Sequence, residues 1–579
     1  MSLNSQHKEE LDTAVRDKEH TEKCTEECTE YIKVYTEERI QNEEATLPLT
    51  EYDPDSDEPT QAFSPLYLEA TGNQALGLDF NKLRLHCVAS IDPSARILLY
   101  PRISGLGISP YGGAGRYDNW VEVEMDDRPD EPVKVLVVTP SSEQLGCVIT
   151  HDDVNFRLYF DPTQDRVILR NDCSRAILGR RSDVERPVQV QPRQLATFHA
   201  GSWVIDIEGR ALVDFQLLPR TSWAIPARVI SLPPSPNRPP KRVKIEQSAY
   251  RTTDASRCLQ VVSAGNALLK LEKGDSIYIA DNCRGYQLTR HVTISDQANS
   301  SVWQAEYSKI PGSVVVVKVI KAASSDERHS VRAAESWMRE SEIHSSLKNH
   351  PAILRMLGSD ARFHSIYIEH TNAKSLVHLR QATSDRFAGN ASDTQRIFAD
   401  IASALDFVHG SRLVHNDVKP GNILYCPSRG AVLIDFGLSF VHGSPSPTGG
   451  SPWYLPPEFM RDWRSRGPPC DVWALGVVGL WLLGHLSLPE KSPSWLIADI
   501  HPSTPGIPSH MRAIDLMSRW LKQVENARSQ LSHQENPPAS ILRNTLAPEM
   551  KERIDAAALN QRMMEFSSKR AQKDKLVSE

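Results

Sequence analysis

A lysine in the middle of a run of β-branched residues constrains the fold of this chain more than any other feature. The run is SVVVVKVIK, from Ser313 to Lys321, and Lys318 lies inside it. A continuous stretch of valine and isoleucine is typical of a buried strand. An ammonium group inside such a strand is costly unless an acidic group pairs with it. The sequence therefore predicts a buried strand here, with a carboxylate close to Lys318.

The length and composition limit the classes of protein to which the chain can belong. Its 579 residues exceed what one hydrophobic core supports, which predicts two or three folded units with linkers. The 40% hydrophobic and 24% charged residues and the net charge of −7 are those of an ordinary soluble protein, with no reason to expect a nucleic-acid partner. The longest apolar run, Val472 to Gly484, is shorter than the roughly 20 residues that cross a bilayer. We therefore expect a buried helix there and no membrane partner.

The segment LVHNDVKPGNILY, from Leu413 to Tyr425, spaces four polar side chains in a specific way. The spacing of His415, Asp417, Lys419 and Asn422 resembles the catalytic loop of eukaryotic protein kinases. The resemblance implies that Asp417 orients the substrate hydroxyl and accepts its proton, that Lys419 steadies the γ-phosphate of ATP, and that Asn422 holds Mg²⁺. A lysine two residues after the aspartate is the form found in serine/threonine-specific members.

Two further segments match the family in the expected order. Eighteen residues after Asp417, AVLIDFGLS places Asp435 in a D-F-G element, whose carboxylate binds Mg²⁺ in the family. Upstream, Lys318 takes the place of the third-strand lysine, which contacts the α- and β-phosphates and pairs with a helix glutamate. The resemblance thus implies catalysis with ATP and Mg²⁺.

The acidic partner of Lys318 is expected on the helical stretch SVRAAESWMRESEIHSSLKNHPAIL, which contains Glu340 and Glu342. We prefer Glu340, because Ile343 and Leu347 follow it at +3 and +7. These two residues form the apolar face that packs such a helix inward.

The remaining site residues follow from the same resemblance. In SIYIEHTNAKSL, Ile368 is expected to be the gatekeeper, and Glu369 to Thr371 are expected to offer backbone groups to adenine. Ile294 and Val302 are the other expected contacts of ATP.

Three residues, with His415, are expected to have structural roles in the family fold. Glu458 in PPEF matches the A-P-E element, and Asp471 in CDVWALG matches the start of the long buried helix. Arg553 in LAPEMKERIDAAAL is the expected ion-pair partner of Glu458.

The chain departs from the family pattern in the loop that covers the phosphates. Glycines normally stand there because they let backbone N–H groups approach the phosphates. Counting back from Val302, the three glycine positions hold Ser295, Gln297 and Ser300. Side chains at these points hinder close approach, which favours a catalytically weak enzyme or a pseudokinase, although serine can itself donate hydrogen bonds.

A second departure is Asn416, which stands where many regulated kinases have the arginine of H-R-D. That arginine normally receives the phosphate of an activated loop. Without it, we expect no phosphate switch acting through a charge pair in the segment from Asp435 to Glu458. Control by the N-terminal domain or by a partner is the alternative that we expect.

Short alternating segments broken by turn residues run from about Leu66 to Arg220, which predicts an all-β sandwich over residues 61–230. The stretches FRLYFDPTQDRVILRNDCSR and LATFHAGSWVIDIEG resemble the second half of a forkhead-associated domain, which implies a phosphoprotein partner. The first half shows no convincing arginine and serine pair for a phosphate, and Asn171 alone decides nothing. We favour a sandwich that docks onto the kinase or a partner without binding phosphate.

Two segments flanking this region differ from it in composition. Residues 1–60 hold 18 Asp and Glu against 6 Lys and Arg with few large apolar side chains, which predicts a disordered acidic tail; a lone charged helix is the alternative. The start has no apolar segment behind a basic end, so we expect an intracellular protein with reduced cysteines. The Pro-rich stretch 231–250 is a predicted linker, and its KRVK core resembles a nuclear-import signal, with a solvated basic linker as the alternative.

The sequence therefore predicts a multidomain α+β chain in four parts. These are the acidic tail (1–60), the β-sandwich (61–230), the basic linker (231–250) and a bilobal protein kinase domain (286–566) with a β-rich first lobe and a helical second lobe. The predicted function is transfer of the γ-phosphate of ATP to serine or threonine hydroxyls of protein substrates. The alternatives are a nucleotide-binding scaffold without catalysis and a phosphopeptide-binding adaptor. The expected location is cytoplasmic, with nuclear import as an open alternative.

Overall fold

The computed structural model describes residues 78–83, 95–112, 117–127, 130–181, 186–219, 227–231, 265–279, 285–347, 349–381, 384–447, 449–489, 493–502, 506–531 and 537–578. The predicted acidic tail, most of the linker and its KRVK core lie outside these residues. The chain forms two compact units. The first unit runs to Ser346 and includes Arg355–Thr371, and the second comprises Leu347–Leu354 and the chain from Asn372 onward.

The first unit begins with two antiparallel sheets. One has the strand order β3-β4-β1-β12-β11-β8-β9 and the other has the order β10-β7-β6-β5-β2. The strands are β1 Ile97–Pro101, β2 Gly107–Tyr111, β3 Trp120–Val123, β4 Val133–Val138, β5 Gly146–His151, β6 Val154–Phe160, β7 Arg166–Asn171, β8 Ile177–Arg181, β9 Val188–Val190, β10 Leu195–His199, β11 Gly201–Ile207 and β12 Arg210–Leu217.

Alternating apolar side chains from both sheets form one hydrophobic core. Phe156 and Leu158 point into it from the five-stranded sheet, while Trp203 and Phe215 come from the seven-stranded sheet. A period of two along each strand places every second side chain on this inner face. The prediction of a strand-rich N-terminal region is confirmed.

A third antiparallel sheet of the first unit has the order β13-β14-β15-β16-β17-β19-β18. Its strands are β13 Ala227–Ser231, β14 Asp275–Ile279, β15 Tyr286–Asp296, β16 Ser300–Tyr307, β17 Val314–Ile320, β18 Met356–Asp360 and β19 Ser365–Glu369. The sequence assigned residues 227–231 to the end of the sandwich and the start of the linker. In the structure this strand pairs with β14 along its whole length, so it belongs to the third sheet.

Strand β17, which contains Lys318, alternates in burial. Val315, Val317 and Val319 are fully buried in the core, whereas Val314 is 37% exposed. The predicted strand is therefore fully buried on one face and only partly covered on the other. The sheet is antiparallel, and only one of its faces lies on this core, so the valines on the other face are only partly covered.

One helix, α1 (Glu327–Ser346), completes the first unit. It begins after Asp326, whose carboxylate accepts the backbone N–H of His329 at 2.9 Å and so satisfies one of the free donors of the first turn. Trp337, near its middle, is buried and donates its indole N–H to the carbonyl of Ser365 on β19 at 2.9 Å. This bond ties the helix to the third sheet.

The second unit is mainly helical, with two small sheets of order β20-β22-β23 and β21-β24. Its elements are β20 Lys374–Ser375, α2 Ala391–Gly410, β21 Leu413–Val414, β22 Ile423–Cys426, β23 Gly430–Leu433, β24 Phe440–Val441, α3 Pro468–Leu482, α4 Pro508–Ser529, α5 Pro537–Thr545 and α6 Ala556–Ser578.

Helix α3 is the centre of the second unit. Thirteen of its fifteen residues are buried, as expected for a helix that is apolar on all sides, and it packs against α2 and α5. Two prolines, Pro468 and Pro469, fix its first turn. Within the part of the chain that the structure describes, no helix is both long and apolar enough to span a membrane.

Candidate active site

Lys318 and Glu340 form an ion pair in the first unit. The Nζ atom of Lys318 lies 2.8 Å from Oε1 and 2.9 Å from Oε2 of Glu340. Glu340 is 1% exposed, and the alternation of β17 turns Lys318 away from the hydrophobic core, toward α1. Glu342, the other candidate partner, is exposed. Glu340, the residue that the sequence favoured, thus supplies the carboxylate that Lys318 requires.

Asp417 lies in the second unit, between β21 and β22, and is held by three donors. The Nζ atom of Lys419 and the amide nitrogen of Asn422 are each 2.9 Å from its Oδ2 atom. The hydroxyl of Ser451 donates to its Oδ1 atom at 2.9 Å and accepts from Lys419 at 3.0 Å. Sequence reasoning missed Ser451, although it follows two glycines shortly before the A-P-E-like element.

The loop around Asp417 is anchored by a buried carboxylate from helix α3. Asp471 accepts the backbone N–H groups of His415 and Asn416, each at 2.8 Å, and contacts the imidazole of His409 at 2.9 Å. His415 in turn contacts the carbonyl of Ile434 through Nε2 at 3.1 Å. These bonds explain how Asp471 and His415 fix the catalytic loop.

Asp435 lies after β23 in a strained backbone conformation. Its φ angle is +68°, and Asn416 on the catalytic loop has a φ angle of +65°. Such conformations are uncommon for residues with side chains and are concentrated at functional sites. The neighbouring Phe436 is fully buried and packs edge-on against His415, with ring centroids 5.1 Å apart. This packing holds the D-F-G element in place.

The side chains of Asn422 and Asp435 are chemically suited to Mg²⁺. The amide nitrogen of Asn422 is used for the bonds to Asp417, so its oxygen is the atom left to bind a metal. Oxygen ligands from one or two side chains, completed by phosphates and water, are typical of Mg²⁺ in phosphoryl-transfer sites. Among the described residues no group of three or more His, Cys, Asp or Glu could hold a metal ion.

A second buried ion pair joins distant parts of the second unit. Arg553 binds Glu458 through two parallel contacts, Nη1 to Oε1 at 2.7 Å and Nη2 to Oε2 at 2.9 Å. The guanidinium also lies over the ring of Trp473 and donates to the backbone carbonyls of Pro469 and Ala547. The pair expected from the sequence is present, 95 residues apart in the chain.

Comparison with known proteins assigns this part of the chain to a family. Residues 298–563 match the model of the family described as "Protein kinase domain". This stretch is a protein kinase domain. The match begins 12 residues after the predicted boundary at 286 and ends three residues before the boundary at 566.

Curated relatives of the kinase domain are named as serine/threonine kinases. The probable serine/threonine-protein kinase MARK-A of Dictyostelium discoideum is 30% identical over 240 residues, which are 40% of this chain and 22% of that protein. Serine/threonine-protein kinase SIK2 of Gallus gallus is 29% identical over 201 residues, 34% of this chain and 24% of that protein. Serine/threonine protein kinase OSK3 of Oryza sativa subsp. indica is 30% identical over 244 residues, 41% of this chain and 46% of that protein. The chain thus aligns with less than half of the length of each of these relatives.

The loop that is expected to cover the phosphates is the hairpin between β15 and β16. The N–H of Gln297 donates to the carbonyl of Ser300 at 2.8 Å, and the N–H of Lys321 donates to the carbonyl of Asn299 at 2.8 Å. None of the residues 295–300, all of which are described, has a positive φ angle. The hairpin therefore closes without the conformational freedom of glycine.

The expected nucleotide contacts of the first unit lie on neighbouring strands. Val302 on β16 is directly opposite Lys318, and Ile368 on β19 is opposite Val316. Ile294 on β15 is 50% exposed, whereas Ile368 packs against the apolar cluster around α1. The carboxylate of Glu369 accepts a hydrogen bond from Nε of Arg355 at 3.2 Å. Thr371 is the last residue of this unit.

Arg466 is the residue that sequence reasoning missed entirely. It is buried, and its guanidinium donates to Oδ1 of Asn416 at 3.1 Å, to the carbonyl of Pro447 at 3.2 Å and to the carbonyl of Gly449. Burial lowers the pKa of Arg466 to about 10. An arginine that follows the A-P-E-like element thus links the catalytic loop to the activation segment. No sequence motif marks it, since 50 residues separate it from Asn416.

Proposed function

We propose that this chain is a serine/threonine protein kinase that transfers the γ-phosphate of ATP to hydroxyl groups of protein substrates. The observation that carries this proposal is the buried Asp417 carboxylate, bound by the cation of Lys419, the amide of Asn422 and the hydroxyl of Ser451. An aspartate ordered by a cation and an amide is suited to orient a hydroxyl and take its proton. Ser451 itself shows that a hydroxyl can approach Asp417 to 2.9 Å.

The ion pair of Lys318 and Glu340 is part of the nucleotide site that we propose. We assign Lys318, fixed by Glu340, to the α- and β-phosphates, and we assign Ile294, Val302, Ile368 and the backbone of residues 369–371 to the base. Asn422 and Asp435 would hold Mg²⁺, which neutralises the charge of the phosphates when bound. The ion pair supports this assignment because it holds the ammonium group of Lys318 in a single position.

The competing hypothesis is a nucleotide-binding scaffold without catalysis. It is favoured by the glycine-free loop, whose side chains hinder close approach of the backbone to the phosphates. Purified full-length protein with Mg-ATP and a basic peptide that contains both serine and tyrosine distinguishes the two. We expect phosphate on serine that disappears in Lys318→Met and Asp435→Asn and persists in Lys551→Met, a control at an exposed lysine. Equal background incorporation of phosphate by the wild type and by both site variants would refute the proposal that the chain is an enzyme.

The strand-rich N-terminal region resembles a forkhead-associated sandwich, but its contacts favour a structural role for Asn171. The amide nitrogen of this buried residue donates to the carbonyls of Arg175 at 2.7 Å and Val190 at 2.9 Å, and its oxygen accepts from the N–H of Cys173. Binding of a phosphothreonine peptide through Asn171 is therefore not part of the proposal. We also propose an intracellular location, where ATP is abundant.

A further inference from the structure

Helix α1 packs between two sheets of the first unit. An apolar cluster joins Tyr159 and Ile168, on the outer face of the five-stranded sheet, to Val331 and Ala334 on the helix. Both strand residues are 1% exposed, although they point away from the core that the two N-terminal sheets share. An outer sheet face with large apolar side chains requires a covering element, and here that element is α1.

The middle of α1 is held to the same sheet by polar contacts. Glu335 accepts from Nη1 of Arg170 at 2.7 Å and from the hydroxyl of Tyr159 at 3.0 Å, and Arg157 is 3.9 Å away. All four side chains are at least partly buried, so water screens these charges less than it would on an open surface. The position of Glu335 relative to the sheet is therefore well determined.

The start of α1 is fixed by a second set of contacts. Arg166 on β7, paired with Asp161 at 2.7 Å, donates to the carbonyl of Ser325 at 2.7 Å and to the hydroxyl of Ser330 at 3.1 Å. Thr197 on β10 donates to the carboxylate of Glu327 at 2.7 Å. The first turn and the middle of the helix are thus both attached to the N-terminal region, which prevents rotation of the helix about its axis.

The opposite side of α1 faces the third sheet. Residues at helical spacing on that side include Trp337, bound to Ser365, and Glu340, bound to Lys318. Glu335 and Glu340 are five residues apart on a rigid helix, so a rotation that breaks the contacts of one also moves the other. The ion pair in the kinase domain and the contacts to the N-terminal sheet therefore depend on the same helix orientation.

We infer that the outer face of sheet β10-β7-β6-β5-β2 is a built-in docking surface that holds α1 in the orientation in which Glu340 reaches Lys318. The N-terminal region is thus a positioning element of the kinase domain in the same chain. Its effect on catalysis rests on the proposed kinase function, whereas its effect on the helix does not.

The test uses full-length protein and reverses the charge on either side of the contact. Glu335→Lys and Arg170→Glu should each lower kcat/KM for peptide phosphorylation by about tenfold and speed hydrogen exchange of the α1 amides. The double variant should restore both quantities only in part, because the ion pair is re-formed with its charges exchanged while Arg157 and Asp172 then face like charges. Glu342→Lys, the same substitution at an exposed position of the same helix, should match the wild type in both measurements.

The outcomes separate the two proposals. Single variants that match Glu342→Lys in α1 exchange and in activity would overturn the docking inference. A wild type without Lys318-dependent phosphorylation would remove the proposed function, while the exchange rates of α1 would still decide the docking. Unchanged exchange in the core strands β5 and β11 identifies variants that keep the N-terminal fold.

Discussion

Replacing Arg466 by methionine should lower the kinase activity of the chain by about a hundredfold. Methionine keeps much of the apolar stem and removes the guanidinium, which holds Asn416 and two carbonyls of the activation segment. Hydrogen bonds to a charged group contribute about 1.5–3 kcal/mol each, so the two bonds to the segment contribute about 3–6 kcal/mol. Because the freed carbonyls regain water in part, the lower value of about 3 kcal/mol applies, which corresponds to about a hundredfold in the population of the ordered segment.

The assay is steady-state phosphorylation of a peptide, with nucleotide affinity measured separately. Arg466→Met should lower kcat while the affinity for ATP, assigned to Lys318 and its sheet, changes by less than about twofold. Arg466→Lys keeps a cation but loses the forked donor, so its kcat should lie between those of the wild type and Arg466→Met. Arg464→Met, at an exposed arginine of the same loop, is the matched control. If Arg466→Met and Arg464→Met have the same kcat, the assigned role of Arg466 is refuted.

Three further predictions follow from other contacts. Because Arg466 already occupies the carbonyls of the segment, Ser444→Ala and Ser446→Ala should leave kcat within about twofold of the wild type, and a large loss with a phosphosite found by mass spectrometry would contradict this. Burial lowers the pKa of His364 to about 4, below its unfolded value of about 6.5, so the unfolded state takes up the proton first. His364 should therefore lower the free energy of unfolding by about 3 kcal/mol between pH 6.5 and 4. Denaturant titrations of His364→Gln should lack this part of the pH dependence. Arg553→Ala should lower the free energy of unfolding by about 3–5 kcal/mol because it leaves Glu458 buried without its partner, and Glu458→Gln in the same chain should recover part of this loss.

The sequence was most informative where a local pattern and a charge requirement coincide. The valine run predicted β17, and the need of Lys318 for an acid, with the spacing of apolar residues on α1, selected Glu340 over Glu342. The partial cover of one face of β17 was not predictable, since the run alone does not distinguish a parallel sheet from an antiparallel sheet with one covered face. The sequence showed that this loop has no glycine, but it did not predict that the turn closes with negative φ angles.

The contacts of Arg466 and Ser451 with the catalytic loop were not predictable in this way. Arg466 and Ser451 reach the catalytic loop only after the chain has folded back on itself, and no periodicity encodes such an approach. The docking of α1 did leave a signal in DRVILRN, where Val167, Ile168 and Leu169 are consecutive apolar residues. Such a run indicates that both faces of the strand are covered, and the structure shows that α1 covers the outer face. The identity of the covering element depends on the tertiary fold.

The pairing of β13 with β14 sets how far the N-terminal region can move from the kinase sheet. Strand β12 ends at Leu217 and β13 begins at Ala227, so nine residues connect the two, with a span from Leu217 to Ala227 of at most about 35 Å even when fully extended. A tether this short gives an effective local concentration of about millimolar or more. An isolated copy of the N-terminal region, added in solution at micromolar concentration, would therefore compete poorly for α1.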